Sequence, residues 1–217
     1  MNRIGTVTTC SKVEVSLITP DPATIRIEDI AHHEARTERY NGASNTFENR
    51  EDISLSVAQH SLFVAEVLPP RLKLWGLLHD APEAYTGDAV APLKRLLGTS
   101  EQITDGLVDF LSSRGIDIAA ERYEVLQWMK DSMPGFREIE DRLLDAISSR
   151  FNLPEYDKAI KAADRAVTAA EMIQVLGWPH LAARQGIQPA KIKYYPRTWQ
   201  DVKREFLEKF EEYGGVV

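Results

Sequence analysis

Three apolar helical stripes in this chain each carry an ionisable side chain where a helix would ordinarily place Val or Leu. His60 lies in SLSVAQHSLFVAEVL, three residues after Val57 and four before Val64. His79 closes RLKLWGLLHD, four residues after Trp75 and seven after Leu72. Asp164, in YDKAIKAADRAVTAAEMI, follows Ile160 by four and precedes Val167 by three. Residues at these spacings share one helix face, so all three polar groups project inward. A carboxylate buried beside Ile and Val is costly unless something positive compensates it. Asp80, next to His79, adds a second carboxylate. Two imidazoles and two carboxylates converging on one point suit a divalent cation, so His60, His79, Asp80 and Asp164 are the expected metal ligands. Taken singly, an inward His is more often a hydrogen-bonded core residue, and an inward Asp an N-cap or an Arg partner. The adjacent pair His79-Asp80 changes that balance, as does the stretch after it, HDAPEAYTGD, which supplies Glu83 and Asp88.

The segment H…HD…D resembles the HD superfamily of metal-dependent phosphohydrolases. More narrowly, SVAQHS, LLHDAPEAYTGDAVAPLK and KAADRAV are similar to the 5′-deoxynucleotidase branch and the related phage deoxynucleoside triphosphohydrolases, and RIEDIAHHEARTERYNG to the segment those proteins carry before their first metal His. The resemblance covers roughly residues 25–170. A bare HD dipeptide is a weak signal; the whole run with its two outlying ligands is a specific one. It implies an HD-domain helical bundle and one divalent transition-metal ion. Mixed N/O ligation suits Mn²⁺, Co²⁺, Zn²⁺, Fe²⁺ or Ni²⁺ better than Mg²⁺.

The resemblance also implies roles. Glu83 would carry a proton or orient water, although a carboxylate after Pro82 also suits a helix N-terminus. Asp88 would contact the sugar hydroxyl or support the water; its plainer reading is an N-cap for a helix over 89–97. Lys94 and Lys161 lie where relatives place phosphate-contacting lysines, against the ordinary reading of solvated cations. Arg39-Tyr40 resembles an Arg–aromatic pair whose guanidinium forks onto phosphate while the ring stacks on sugar or base. Here Tyr stands where relatives often carry Phe or Trp, and the charged NTFENREDI follows. His32 and His33 are adjacent, cannot share a helix face, and read as surface or capping residues; His180 has no evident partner.

A length of 217 residues with 43% hydrophobic and 27% charged side chains accommodates one domain with a sizeable core. The net charge of −7 argues against a nucleic-acid binder with a broad basic face, and leaves an anionic substrate to local cations. A single cysteine, Cys10, excludes an intramolecular disulfide and a Cys-based zinc site. With no apolar run of the ~20 residues that span a bilayer and no signal-peptide pattern, a cytoplasmic setting without membrane contact is expected.

Residues 1–24, rich in Thr, Ser and Val, predict an extended segment or short hairpin, with Asp21 or Thr24 capping the element after it. Residues 25–217 predict a single all-α domain with the metal site between its helices. Helical periodicity marks 25–37, a start at Ser54 or Ser56 running to 68, then 72–80, 90–98, 100–113, 117–129, 136–151, 154–176 and 198–213. Residues 40–54 read as a loop with an Asn-Gly turn, and Pro82 separates the His79 helix from the element bearing Glu83.

The expected function is hydrolysis of 2′-deoxynucleotides, foremost as a 5′-deoxynucleotidase converting a deoxynucleoside monophosphate to deoxynucleoside and phosphate. The alternative is a triphosphohydrolase releasing triphosphate from, for example, dATP. From another class, a non-catalytic nucleotide-binding helical protein would tolerate His60→Ala and retain no metal. Family members form homo-oligomers, and residues 116–129 carry Ile116, Tyr123, Leu126, Trp128 and Met129, more bulky apolar surface than a solvated helix needs. A dimer or higher homo-oligomer is therefore expected; light scattering at the monomer mass of 24.5 kDa would count against it.

Overall fold

The computed structural model describes residues 5–43, 55–118, 120–184 and 186–216. A hairpin pairs β1 (Thr6–Thr8) with β2 (Glu14–Ser16), Val7 opposite Val15. The Asp21 carboxylate then accepts from the Ala23 amide at 2.9 Å and caps a single 3-10 turn, Pro22–Thr24. The rest of the described chain is helical or connecting. The first helices are α1 (Ile27–Arg36), α2 (Val57–Val67), α3 (Lys73–Leu78) and α4 (Glu83–Thr86). An outer group comes next: α5 (Ala91–Leu97), α6 (Ser100–Ser113) and α7 (Arg122–Ser132). The chain closes with α8 (Phe136–Arg150), α9 (Lys158–Gln174), α10 (Pro179–Arg184) and α11 (Trp199–Glu212). Among the described residues no helix is long and apolar enough to cross a membrane.

The all-α expectation holds, and local chemistry explains most boundaries. Ser56 accepts from the Gln59 amide at 3.2 Å and starts α2; Pro69-Pro70 stops it. Thr99 and Gln102 form a reciprocal capping box on α6. Other expectations need correction. The helix expected from 117 begins at Arg122. The one expected from Pro154 begins at Lys158, because Asp157 accepts from the Ala159 amide at 2.9 Å, while the Pro154 carbonyl accepts from Trp75 Nε1 at 2.7 Å. Helix α10 has no counterpart among the helices expected from periodicity. Asn41 and Gly42 adopt positive φ, as an Asn-Gly turn requires, and so does Tyr40. The rest of the expected loop, residues 44–54, lies outside the described residues. His32 and His33 dock neighbouring elements: His32 meets Trp199 edge-on with centroids 5.4 Å apart, and His33 Nε2 accepts from the Cys10 amide at 3.1 Å.

α2 is the central element and packs on α1, α3, α9 and α11. One core cluster gathers Ile30, Leu78, Leu143, Ile147, Phe206 and Phe210; the other gathers Phe63, Val64, Trp75, Ile160 and Val167. The α2 residues Leu62 and Phe63 belong to one cluster each, so the side chains between them and α3 sit at the seam. Of the apolar residues predicted on α7, Met129 is buried, while Tyr123 and Trp128 are exposed.

α3 approaches α2 so closely at Gly76 that a Cβ there would lie 2.9 Å from Ala65 Cα. Gly76→Ala therefore has to push the two helices apart, and with them His60 and His79. We expect a loss of roughly 1–3 kcal/mol, the usual cost of overpacking, in urea unfolding; an unchanged midpoint would show that the helices separate freely.

Candidate metal centre

His60 projects from α2 with no exposed surface, and His79 caps the C-terminal end of α3. Each ring is oriented through Nδ1. His60 Nδ1 is 2.6 Å from Glu171 Oε1, and His79 Nδ1 is 2.8 Å from the Gly76 carbonyl oxygen. Both partners accept only, so Nδ1 carries a proton in each ring, and in the neutral ring Nε2 is left to present a lone pair. The rings lie 5.3 Å apart, and neither Nε2 has a hydrogen-bond partner although both are buried. What they face is carboxylate. Asp80 Oδ2 lies 3.3 Å from His79 Nε2 and 3.7 Å from His60 Nε2, and Asp164 Oδ1 lies 3.3 Å from His60 Nε2 without hydrogen-bond alignment. Ligand atoms of His60, His79 and Asp80 fall within 4.8 Å of one another; Asp164 approaches the same point from α9.

Lone pairs aimed at carboxylates repel unless a positive charge lies between them. The titration tendencies express that deficit. Burial and Arg39 push His60 towards neutrality, yet Glu171 and Asp164 hold it up at about 9. Burial raises Asp80 and Asp164, but the neighbouring imidazoles draw both below the usual carboxylate range. A divalent cation answers this donor set better than a proton does, because one ion serves all four groups.

Glu171, two turns after Asp164 on α9, organises the next layer, and nothing in the sequence pattern singled it out. It has no exposed surface and accepts from Arg39 Nε at 3.2 Å, Tyr40 Oη at 2.6 Å and Tyr194 Oη at 2.6 Å, besides the His60 ring. Burial raises its pKa, but Arg39 and His60 bring it well below the carboxylate range. Arg39 also reaches Asp80, at 3.5 Å. Arg39 and Tyr40, expected as substrate contacts, are thus both tied to Glu171 and form the wall behind the candidate metal ligands.

His79, Asp80 and Asp164 open onto a cavity of about 300 Å³ whose lining also includes Glu83, Lys94, Glu140, Tyr156 and Lys161. Lys94 bridges Glu83 at 3.0 Å and Glu140 at 2.7 Å, leaving Glu83 Oε2 without a partner. Burial, then Asp80 and Asp88, push Glu83 up to about 8 against the pull of Lys94. Lys161 stands exposed at the rim. Asp88 caps no helix, since Val90 precedes α5 without a side-chain cap; its charge acts on Glu83 and Arg39 from a distance. A second group of ligand-type atoms, Cys10, Asp29 and His33, is accounted for by its hydrogen bonds: Cys10 Sγ and Ser11 donate to Asp29, and the Cys10 amide occupies His33 Nε2.

No family model matches the chain. An uncharacterised protein of Rhodobacter capsulatus is 32% identical over 181 residues, covering 78% of this chain and 72% of that protein. The uncharacterised protein YfdR of Escherichia coli is 50% identical over 42 residues, which are 19% of this chain and 24% of that protein.

Removing Glu171 strands Arg39 in the interior. Glu171→Ala should cost about 3–5 kcal/mol in chemical unfolding at neutral pH, as expected for breaking a buried ion pair, and Glu171→Gln less. Because the folded pKa is depressed, the charge of Glu171 stabilises the fold above about 4.5, its ordinary value, and that advantage fades as pH falls below it. A gap between wild type and Glu171→Gln that stays constant into acid would show that Glu171 is not charged in the native protein.

Proposed function

We propose that this chain, which belongs to the family of the uncharacterised Rhodobacter capsulatus protein, is a metal-dependent phosphohydrolase of the HD type that acts on 2′-deoxynucleotides as a 5′-deoxynucleotidase. The observation that carries this reading is the pair of buried Nε2 atoms of His60 and His79, unpartnered and turned on Asp80 and Asp164. His60, His79, Asp80 and Asp164 would hold the ion, with Glu171 fixing the His60 tautomer as carboxylates do for metal-bound imidazoles. When bound, the cation supplies Lewis acidity, drawing charge from a phosphate oxygen and making nearby water more acidic.

The remaining steps belong to side chains. Lys94 takes Glu83 Oε1, which leaves Oε2 to carry the acid proton. Hydrolysis breaks the bond between phosphorus and the 5′ oxygen, water oxygen joins phosphorus, Glu83 gives its proton to the departing 5′ oxygen, and the proton released by the attacking water returns to Glu83 through solvent. Lys161, at the rim, would meet a non-bridging phosphate oxygen. The cavity of about 300 Å³ is at the small end of ligand pockets, which favours a monophosphate over the larger triphosphate.

Purified protein should carry one transition-metal ion per chain and release orthophosphate from dAMP when supplied with Co²⁺ or Mn²⁺. Chelation and Asp164→Ala should abolish both metal content and turnover. Glu83→Gln should keep the metal while turnover falls by ~10² to 10⁴. Turnover should also decline as pH climbs towards about 8, where Glu83 loses its proton, and sooner once Asp80 carries a cation. Tripolyphosphate released from dATP would assign the triphosphohydrolase reaction instead, and intact substrate in both assays would leave a binding protein.

A further inference from the structure

A second cavity, of about 460 Å³, lies on the other side of α2. At ~100° per residue, Leu62 and Glu66 of its wall face away from His60. In a chain of net charge −7, this wall is rich in cations: Lys73, Lys193, Arg197 and Lys209. Arg197 is neutralised by Glu205 and Lys209 by Glu212. Lys73 and Lys193 have no carboxylate partner among the described residues, and Glu66 is the remaining acid of the wall. The ammonium of Lys73 is held 5.2 Å from the centre of the Tyr213 ring, and Lys209 approaches the same ring at 5.8 Å. Cation–π contacts of this kind position ammonium groups while leaving their N–H donors free. Two ammoniums without a carboxylate partner, one of them held on an aromatic ring, beside one pocket match a compact anion with several acceptor oxygens.

The same cavity touches the support of the metal centre. Residues 193–195 alternate in burial: Lys193 and Tyr195 line the cavity, and Tyr194 between them is buried, donating to Glu171 Oε1 at 2.6 Å. The Tyr194 ring packs on Phe63, itself part of the cavity wall, with centroids 4.5 Å apart. Gln59, the neighbour of His60, donates to the Tyr195 carbonyl at 3.0 Å.

We infer that this cavity is a second anion site that takes a small phosphate-bearing molecule between Lys73 and Lys193. Its occupant ties down residues 193–195 and thereby steadies the Tyr194 hydroxyl on Glu171.

Titration calorimetry on the full-length, metal-loaded Glu83→Gln protein, in which the proposed reading leaves dAMP essentially unhydrolysed, with inorganic pyrophosphate and separately with dAMP, tests the inference by binding. Saturable binding should persist in Lys94→Ala, in the first cavity, and weaken roughly tenfold or more in Lys193→Glu and Lys73→Gln, the usual consequence of losing a charged hydrogen bond. Lys193 is exposed, so its substitution leaves folding intact, which a thermal melt verifies. Loss of the pyrophosphate signal in Lys193→Glu supports an inorganic ligand, and loss of the dAMP signal an organic one. Binding that is unchanged in Lys193→Glu, abolished by Lys94→Ala, or weaker than ~1 mM in the wild type overturns it.

Discussion

Glu171 is a carboxylate without exposed surface, and it stays ionised because four donors from distant parts of the chain converge on it. Arg39, Tyr40, His60 and Tyr194 come from the turn after α1, from α2 and from the segment before α11. Burying such a charge unaided is prohibitive; burying it among an arginine, an imidazole and two phenols locks those segments in mutual register. The lock also decides chemistry. With His60 Nδ1 committed to Glu171, Nε2 is the nitrogen turned inward, and it offers a lone pair whenever the ring is neutral.

Around the first cavity the charges do not balance. Asp80, Glu83, Glu140, Asp141 and Asp164 line it with Lys94 and Lys161 as its ammonium groups. Lys94 is spent between Glu83 and Glu140. A phosphate approaching this wall meets net repulsion. A divalent ion held at the inner end would reverse the field where an anion would arrive. The unusually high proton affinity of Glu83 arises from the same crowding.

The inward stripes bearing His60, His79 and Asp164 were legible because helical periodicity is a local property, and a polar residue on an apolar stripe stands out against it. Helix starts with a side-chain cap, at Ser56, Thr99 and Thr198, were legible for the same reason. Glu171 was not. In TAAEMI it reads as an ordinary surface glutamate, and its burial depends on Arg39, 132 residues away. The available clue was its spacing of seven from Asp164. Nor does sequence show that Lys94 would be shared by two carboxylates, one of them Glu140 at a separation of 46 residues. Pro154 misled as a helix start because tertiary contact with Trp75 holds it in the preceding turn.

Asp164 and Glu171 stand on one uninterrupted helix, α9, with Thr168 between them donating to Asp164 at 3.3 Å. This rod acts as a ruler: it sets both Asp164 and the group that orients the His60 ring, seven residues and almost two turns apart. A single-residue insertion or deletion between them would swing Glu171 by ~100° around the axis, towards the side of α9 that faces solvent, while leaving every side chain chemically intact. Point substitutions along residues 165–170 preserve the angle between the two carboxylates. Changes of length do not, so the spacing of this segment is fixed independently of the packing that Val167, Ala169 and Ala170 impose on its composition.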